Sequence, residues 1–240
     1  MYPLISFRGK LGFGKSSAAR YLVTRHGYTH VAFANPLKVE VYLLLASNSR
    51  TIAERGIVID TDGTPITLPN IVLADLLAFG QRNMPAKSDA EMVSFINAHK
   101  VELRSLMQYW ATEVRRAKDD EYWTKRGFAL IYNALANGQP VVIDDARFEN
   151  EIGPIMDVGG IHIYVTTNPE IAAKRLAIRD GRVARGIVGH ESERLAEASD
   201  PRNAFIVDND GDLSDTYAQI DAILANSLPK RLETAEAVSK

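Results

Sequence analysis

Short apolar runs alternate with segments of helical period along most of the chain. Five runs read as strands: LISF (4–7), THVAFA (29–34), PVVID (140–144), IHIYVT (161–166) and AFIVDN (204–209). Each is four to six residues long and bounded by polar or turn-forming residues, as buried strands are. Between them lie segments with apolar positions three and four apart. SSAARYLVTRHG presents Ala18, Ala19, Leu22 and Val23 and stops at Gly27, a residue suited to the left-handed end of a helix. NPEIAAKRLAIRDG opens with Asn168 as N-cap and Pro169 at the first helical position. NEIGPIMDVGG and LSDTYAQIDAIL complete the set. Strands alternating with helices predict an α/β fold, a mostly parallel sheet covered by helices on both faces.

The alternation is interrupted once. PLKVEVYLLLAS predicts a helix from Pro36 to about Ser47, and residues 47 to 70 are polar and punctuated by Gly and Pro, with DTDGTP (60–65) as a turn or hairpin. From about Ile71 to Asn137 the period is helical almost throughout. These residues offer no strand for the main sheet. The predicted organisation is therefore a single domain with its core in 1–46 and 138–226, a helical insertion at 47–137, and a polar tail at 227–240.

Composition narrows the class. The chain has 240 residues, 46% hydrophobic and 24% charged, with a net charge of −2. That profile suits an ordinary globular protein and argues against a nucleic-acid binder, which would be basic. The absence of cysteine excludes disulfides, zinc–thiolate sites and thiol catalysis. No apolar run approaches the 18 residues of a membrane span, and MYPLISF has no basic start of the signal-peptide kind. A cytoplasmic location is expected, with no nucleic-acid or membrane partner.

The chemistry begins at GKLGFGKSS (9–17), directly after the first strand. Gly9, Gly14, Lys15 and Ser16 fit G-x-x-x-x-G-K-[ST], the phosphate loop. Glycines let backbone N–H groups turn inward around a polyphosphate, and the following helix N-terminus adds its own donors. Gly9, Gly12, Phe13, Gly14, Lys15, Ser16 and Ser17 are thus the candidate ATP-binding residues. Lys15 is placed at the β- and γ-phosphates and Ser16 at Mg²⁺. VVIDDARF (141–148) supplies an apolar strand ending in two acids, either of which could hold Mg²⁺; helix capping accounts for either one equally. Arg147 comes after them, toward the strand-end crevice where ligands of open α/β sheets bind, a surface ion pair being the plainer alternative.

Arg175, Arg179, Arg182 and Arg185 cluster around a DG turn. They read as a lid, about 179–192, bringing positive charge to the transferring group, or as a solvated basic face. LRSLMQYWATEVRRAKDDEYW (103–123) sets Arg104, Gln108, Thr112 and Arg115 at helical spacing, with Glu113 and Arg116 alongside. Opposite them are Leu103, Leu106, Met107 and Trp110; the plain reading is an amphipathic helix with its polar face in solvent.

Taken together these blocks resemble the phage-type deoxynucleoside monophosphate kinases, P-loop kinases related more distantly to adenylate kinase and dephospho-coenzyme A kinase. The phosphate loop is followed, in family order, by FANPLK (33–38), the 103–123 helix, IDDARFENE, GHESE and VDNDGDLSDTYAQIDAIL. The resemblance covers most of the chain except about 47–100. It implies ATP- and Mg²⁺-dependent conversion of a deoxynucleoside monophosphate to the diphosphate, by a P-loop kinase fold with a helical acceptor-binding insertion. It implies that Lys15 and Ser16 serve the ATP phosphates and the metal; with the lid reading, Lys15, Arg147, Arg179 and Arg182 carry the catalytic charge and Arg175 joins the ATP site. Lys38, Arg104, Gln108, Glu113, Arg116 and Arg147 would bind the acceptor. Asp145, rather than Asp144, aligns with the metal-associated acid beside Ser16. Asn35 stands where the family has aspartate, and Ala111 where it has glycine. Another small-molecule kinase such as dephospho-coenzyme A kinase, or a P-loop ATPase or switch protein, is the alternative. A homodimer is compatible with the sequence, which fixes no oligomeric state.

Overall fold

The structure, a computed structural model, describes residues 2–180 and 205–226, with backbone alone at 179 and 180. Five parallel strands form the main sheet: β1 (Leu4–Arg8), β2 (Thr29–Val31), β5 (Val141–Ile143), β6 (Ile161–Thr166) and β7 (Phe205–Asp208). All five fall on the apolar runs expected from sequence, but β2 stops at Val31: Ala34, at the end of THVAFA, already opens the next helix, two residues ahead of the expected start at Pro36. Their order is β2-β5-β1-β6-β7, with Ser6 paired to Ile143 on one side and to His162 on the other.

Side-chain alternation assigns the two faces. Ile5 and Phe7 of β1 join one buried cluster with Ala18, Ala19 and Leu22 of α1 (Lys15–His26) and Ile220 of α9 (Leu213–Asn226). Leu4 and Ser6 point the other way, toward the face on which α7 (Glu149–Asp157) packs against β1 and β6. The sheet is therefore covered on both faces, as a parallel sheet requires. Helix α8 (Pro169–Asp180) comes after β6, and the Asn168 cap is present: its Oδ1 accepts the Glu170 N–H at 2.9 Å.

Contacts along the chain divide it into two compact units, Phe33–Ala129 and the remainder. The first of these begins ahead of residue 47, where the sequence period is interrupted. It contains α2 (Ala34–Arg55), the hairpin β3 (Ile57–Ile59) and β4 (Pro65–Thr67), α3 (Asn70–Phe79), α4 (Asp89–Ala98) and α5 (Arg104–Tyr109). A π-helical segment, Trp110–Arg116, continues α5, and the unit boundary falls inside α6 (Tyr122–Ala136). Its own core joins Leu37, Val41, Leu45, Ile52, Ile96, Leu103, Leu106 and Trp110.

Two expectations are corrected by the helices of this unit. Helix α2 does not end near Ser47 but runs to Arg55 and stops at Gly56, whose φ is 63°. Asn48 reads as a polar break but is buried. Its Nδ2 donates to Leu44 O and Ile59 O, at 3.0 and 3.1 Å, and its Oδ1 accepts the Ile59 N–H at 2.7 Å. A fully satisfied amide ties the hairpin to the helix instead of ending it. Arg115 likewise leaves the exposed stripe with Arg104, Gln108 and Thr112 and is buried. The π turn is the reason: the Ala117 N–H bonds to Thr112 O, five residues back, at 3.0 Å, which inserts a residue into the turn and rotates the positions beyond it.

Arg115 is then consumed by acids of its own unit. Its guanidinium donates twice to Asp60, both at 2.6 Å, and also to Glu40. Glu40 further accepts from Trp110 Nε1 at 2.8 Å and from the Tyr122 hydroxyl at 3.0 Å. Burial alone would raise the Asp60 carboxyl, but the hydrogen bonds from Arg115 and Thr61 bring it below its ordinary value. No helix among the described residues is long and apolar enough to cross a membrane.

Candidate active site

All five strands of the main sheet point the same way, so the ends of β1, β5, β6 and β7 lie along one edge. The chain leaves β1 toward β2 and β5 on one side and later places β6 and β7 on the other, so the crevice forms at the end of β1. The Gly9–Ser16 loop starts there. Gly9, Gly12 and Gly14 have φ of 149°, 82° and 97°, values that L side chains rarely adopt. A Cβ on Gly14 would also overlap the Asn209 side chain, and one on Gly9 the carbonyl oxygen of Val165. At these three positions the cradle therefore suits glycine alone.

Helix α1 begins at Lys15 with no side-chain cap, leaving its first N–H groups directed at the loop. Lys15 Nζ donates to Gly9 O at 2.6 Å and to Lys10 O at 2.8 Å. Its ammonium therefore closes the loop from the helix side. Phe13 is buried, and its carbonyl accepts from Asn209 Nδ2 at 2.8 Å and from the Thr167 hydroxyl at 3.3 Å. Asn209 Oδ1 in turn accepts from Thr216 at 2.8 Å. The ends of β6 and β7 thus brace the loop from behind.

The carboxylate placed against the loop is Asp144. Ser16 and His30 both hydrogen-bond it, and the Lys15 charge acts on it. Burial would raise its pKa, but those hydrogen bonds and charges hold it below the ordinary carboxylate value. It is therefore ionised at neutral pH. The family resemblance points one residue further, to Asp145, which is half-buried beside it. A hydroxyl and an ionised carboxylate fit a Mg²⁺ ion. Among the described residues no group of three or more His, Cys, Asp or Glu could hold a metal ion, so an ion at Ser16 and Asp144 would complete its shell with phosphate oxygens and water.

The remaining expected residues are spread over both units. Arg147 precedes α7, and its N–H donates to the buried Glu151 carboxylate at 2.7 Å, which caps that helix from the inside. Arg175 does not project freely: it donates to Asn209 O at 2.7 Å and Gly211 O at 3.3 Å, clamping the β7–α9 turn. Arg179 lies in the last turn of α8, with its side chain outside the description; Arg182 and Arg185, and with them the rest of the expected lid, lie outside the described residues. Lys38, Arg104, Gln108, Glu113 and Arg116 all belong to the Phe33–Ala129 unit. Lys38 Nζ donates to Asn35 Oδ1 at 3.4 Å. Arg104, Gln108 and Glu113 are exposed and Arg116 is half-buried. His30 carries no signal in the sequence that marks it for this site; Asn209 falls in the VDNDGD block of the family resemblance, but nothing there assigns it to the loop. A strand-end acid is visible in the sequence, but that Asp144 bonds Ser16 is not.

No family model matches the chain. A protein of Acanthamoeba polyphaga mimivirus, named provisionally as a deoxynucleotide monophosphate kinase, is 27% identical over 180 residues, covering 71% of this chain and 76% of that protein. Among solved structures, a dephospho-CoA kinase from Campylobacter jejuni is 14% identical with a TM-score of 0.43, over 95% of this chain and 98% of that one. A shikimate kinase from Acinetobacter baumannii, in complex with shikimate, is 13% identical with a TM-score of 0.44, over 95% and 97%. A glycine cradle capped by Lys15 on a five-stranded parallel sheet, in a chain similar to a viral protein named as a nucleotide kinase, supports a small-molecule P-loop kinase.

Proposed function

We propose that the protein transfers the γ-phosphoryl group of ATP to a deoxynucleoside 5′-monophosphate. The observation that carries phosphoryl transfer is the loop itself, with Lys15 on its carbonyls and the Ser16–Asp144 pair at its helix end. The acceptor class rests on the viral relative and on the sequence blocks from FANPLK onward.

The residues divide the work by charge. An acceptor phosphate oxygen is already a nucleophile, so no side chain has to remove a proton from it. It forms a bond to the γ-phosphorus as the bond to the β-phosphate oxygen breaks, and ADP leaves with that electron pair. Backbone N–H groups of the loop and the α1 N-terminus bind the donor phosphates, and Lys15 neutralises charge on the transferring group. Mg²⁺, held through Ser16 and Asp144, would offset charge on the β- and γ-oxygens. On the acceptor side, Arg147 would grip the monophosphate bidentately, with Lys38 and Arg104 adding charge. Gln108, Glu113 and Arg116 would contact the nucleoside. Asn35 offers an amide where the family has a carboxylate, and the absence of a base at that position is compatible with an acceptor that needs none.

The test is coupled ADP release with ATP, Mg²⁺ and each common ribo- and deoxynucleoside monophosphate in turn. Turnover that appears only with a deoxynucleoside monophosphate supports the reading. ADP release independent of any acceptor identifies an ATPase or switch instead.

A further inference from the structure

Asp144 is held from the strand beside it as well as from the loop. His30 of β2 places Nε2 2.7 Å from Asp144 Oδ1. The pairing of Val31 with Ile143 makes this a link between adjacent parallel strands, one residue before the last pair on β2 and one beyond it on β5. The two side chains differ in exposure, 42% for His30 and 14% for Asp144, so the imidazole forms the outer wall and the carboxylate lies behind it. Neither the phosphate-loop pattern nor the chemistry of transfer calls for a histidine at this place. A carboxylate with one oxygen tied to an N–H donor loses free rotation about its last bond, and the direction of its remaining lone pairs is fixed. Groups that orient a metal-associated carboxylate in this way tune its affinity for the ion.

We propose that His30 is a positioning residue: its Nε2–H donor holds Asp144 in the orientation that meets Ser16, and thereby sets how tightly the site takes a nucleotide-bound divalent cation. The inference rests on the phosphate-loop reading above but not on the identity of the acceptor. His30 touches no reacting atom, so its loss weakens cation binding and leaves the binding of nucleotide without metal as it was.

The test measures thermal stabilisation of the full chain by ATP as MgCl₂ is titrated, with ATP in EDTA as the reference. His30→Ala is expected to raise the Mg²⁺ midpoint about tenfold, while stabilisation by ATP in EDTA stays within about twofold of the parent. His30→Gln, whose amide donor reaches as far as Nε2, is expected to return the midpoint to within about threefold. If His30→Ala fails to fold, His30→Asn, whose amide stops short of Asp144, takes its place in the same comparison. A midpoint within twofold of the parent, whether or not the melting temperature of the ligand-free protein falls, overturns the proposal and leaves His30 as a structural contact. A parent protein that ATP does not stabilise at any Mg²⁺ concentration overturns the phosphate-loop reading itself. A parent that ATP stabilises but no monophosphate acceptor turns over overturns only the acceptor assignment.

Discussion

Two side chains at the phosphate loop make separable claims. Lys15 donates two hydrogen bonds to the loop, and its proposed role is to meet the transferring group. Lys15→Ala should lower kcat by at least about 100-fold with the far-ultraviolet spectrum unchanged; near-parental turnover would contradict the role given to the loop. Asn209 carries structure. It is buried, with its amide spent on Phe13 O and its carbonyl on Thr216. Asn209→Ala takes the Thr216 hydroxyl's acceptor away and leaves Phe13 O with only the longer bond from Thr167, and should cost about 1–3 kcal/mol in urea unfolding. Asn209→Asp should not recover that loss, because a carboxylate has no proton to give Phe13 O. The loop is legible in sequence because its pattern is local. Asn209 is not, because its link to Phe13 spans most of the chain. Asp144 and Asp145 are neighbours of the same type, and only the packing around the strand end decides which one meets Ser16.

At the scale of elements, the strands are legible and the π segment is not. Short apolar runs bounded by turn residues have few other ways to fold, so all five core strands fall on the runs that the pattern marks, although only the first half of THVAFA is strand. The 103–123 segment obeys a period of 3.6 only as far as the π turn, and one inserted residue moves Arg115 from the expected surface into the Asp60 and Glu40 acids. Asn48 misleads in the opposite way, a polar residue satisfied inside a continuing helix. The buried ion pair yields a pH prediction. Asp60 has a folded pKa below its unfolded value of about 3.9. Its stabilisation is therefore complete above that value and is lost as pH falls through the folded pKa. Asp60→Asn leaves Arg115 short of a charge partner and should cost about 3 kcal/mol at pH 7. The gap between parent and variant should narrow in unfolding curves taken below about pH 4; a constant gap down to about pH 2 would remove Asp60 ionisation from the account. On the exposed face of the same segment, Arg104→Ala should raise the acceptor KM about tenfold and leave the ATP KM within about twofold, checked by steady-state kinetics with each substrate varied.

At the scale of the whole molecule, the sheet supplies a crevice edge and the loop the proposed place for polyphosphate, but such parts recur in kinases of many acceptors. The residues expected to separate one acceptor from another lie mostly in the Phe33–Ala129 unit, which holds all of them but Arg147. The segment 47–100 within it is the part the family resemblance does not reach, so base preference is the least legible feature of the chain. The most direct test of the central claim is the ADP-release assay with the full panel of ribo- and deoxynucleoside monophosphates at saturating ATP and Mg²⁺. The account predicts turnover that depends on a deoxynucleoside monophosphate, yields the matching diphosphate in a one-to-one ratio with ADP, and falls at least about 100-fold in Lys15→Ala. ADP release that is the same with and without every acceptor, or a diphosphate formed equally well by Lys15→Ala, would contradict it.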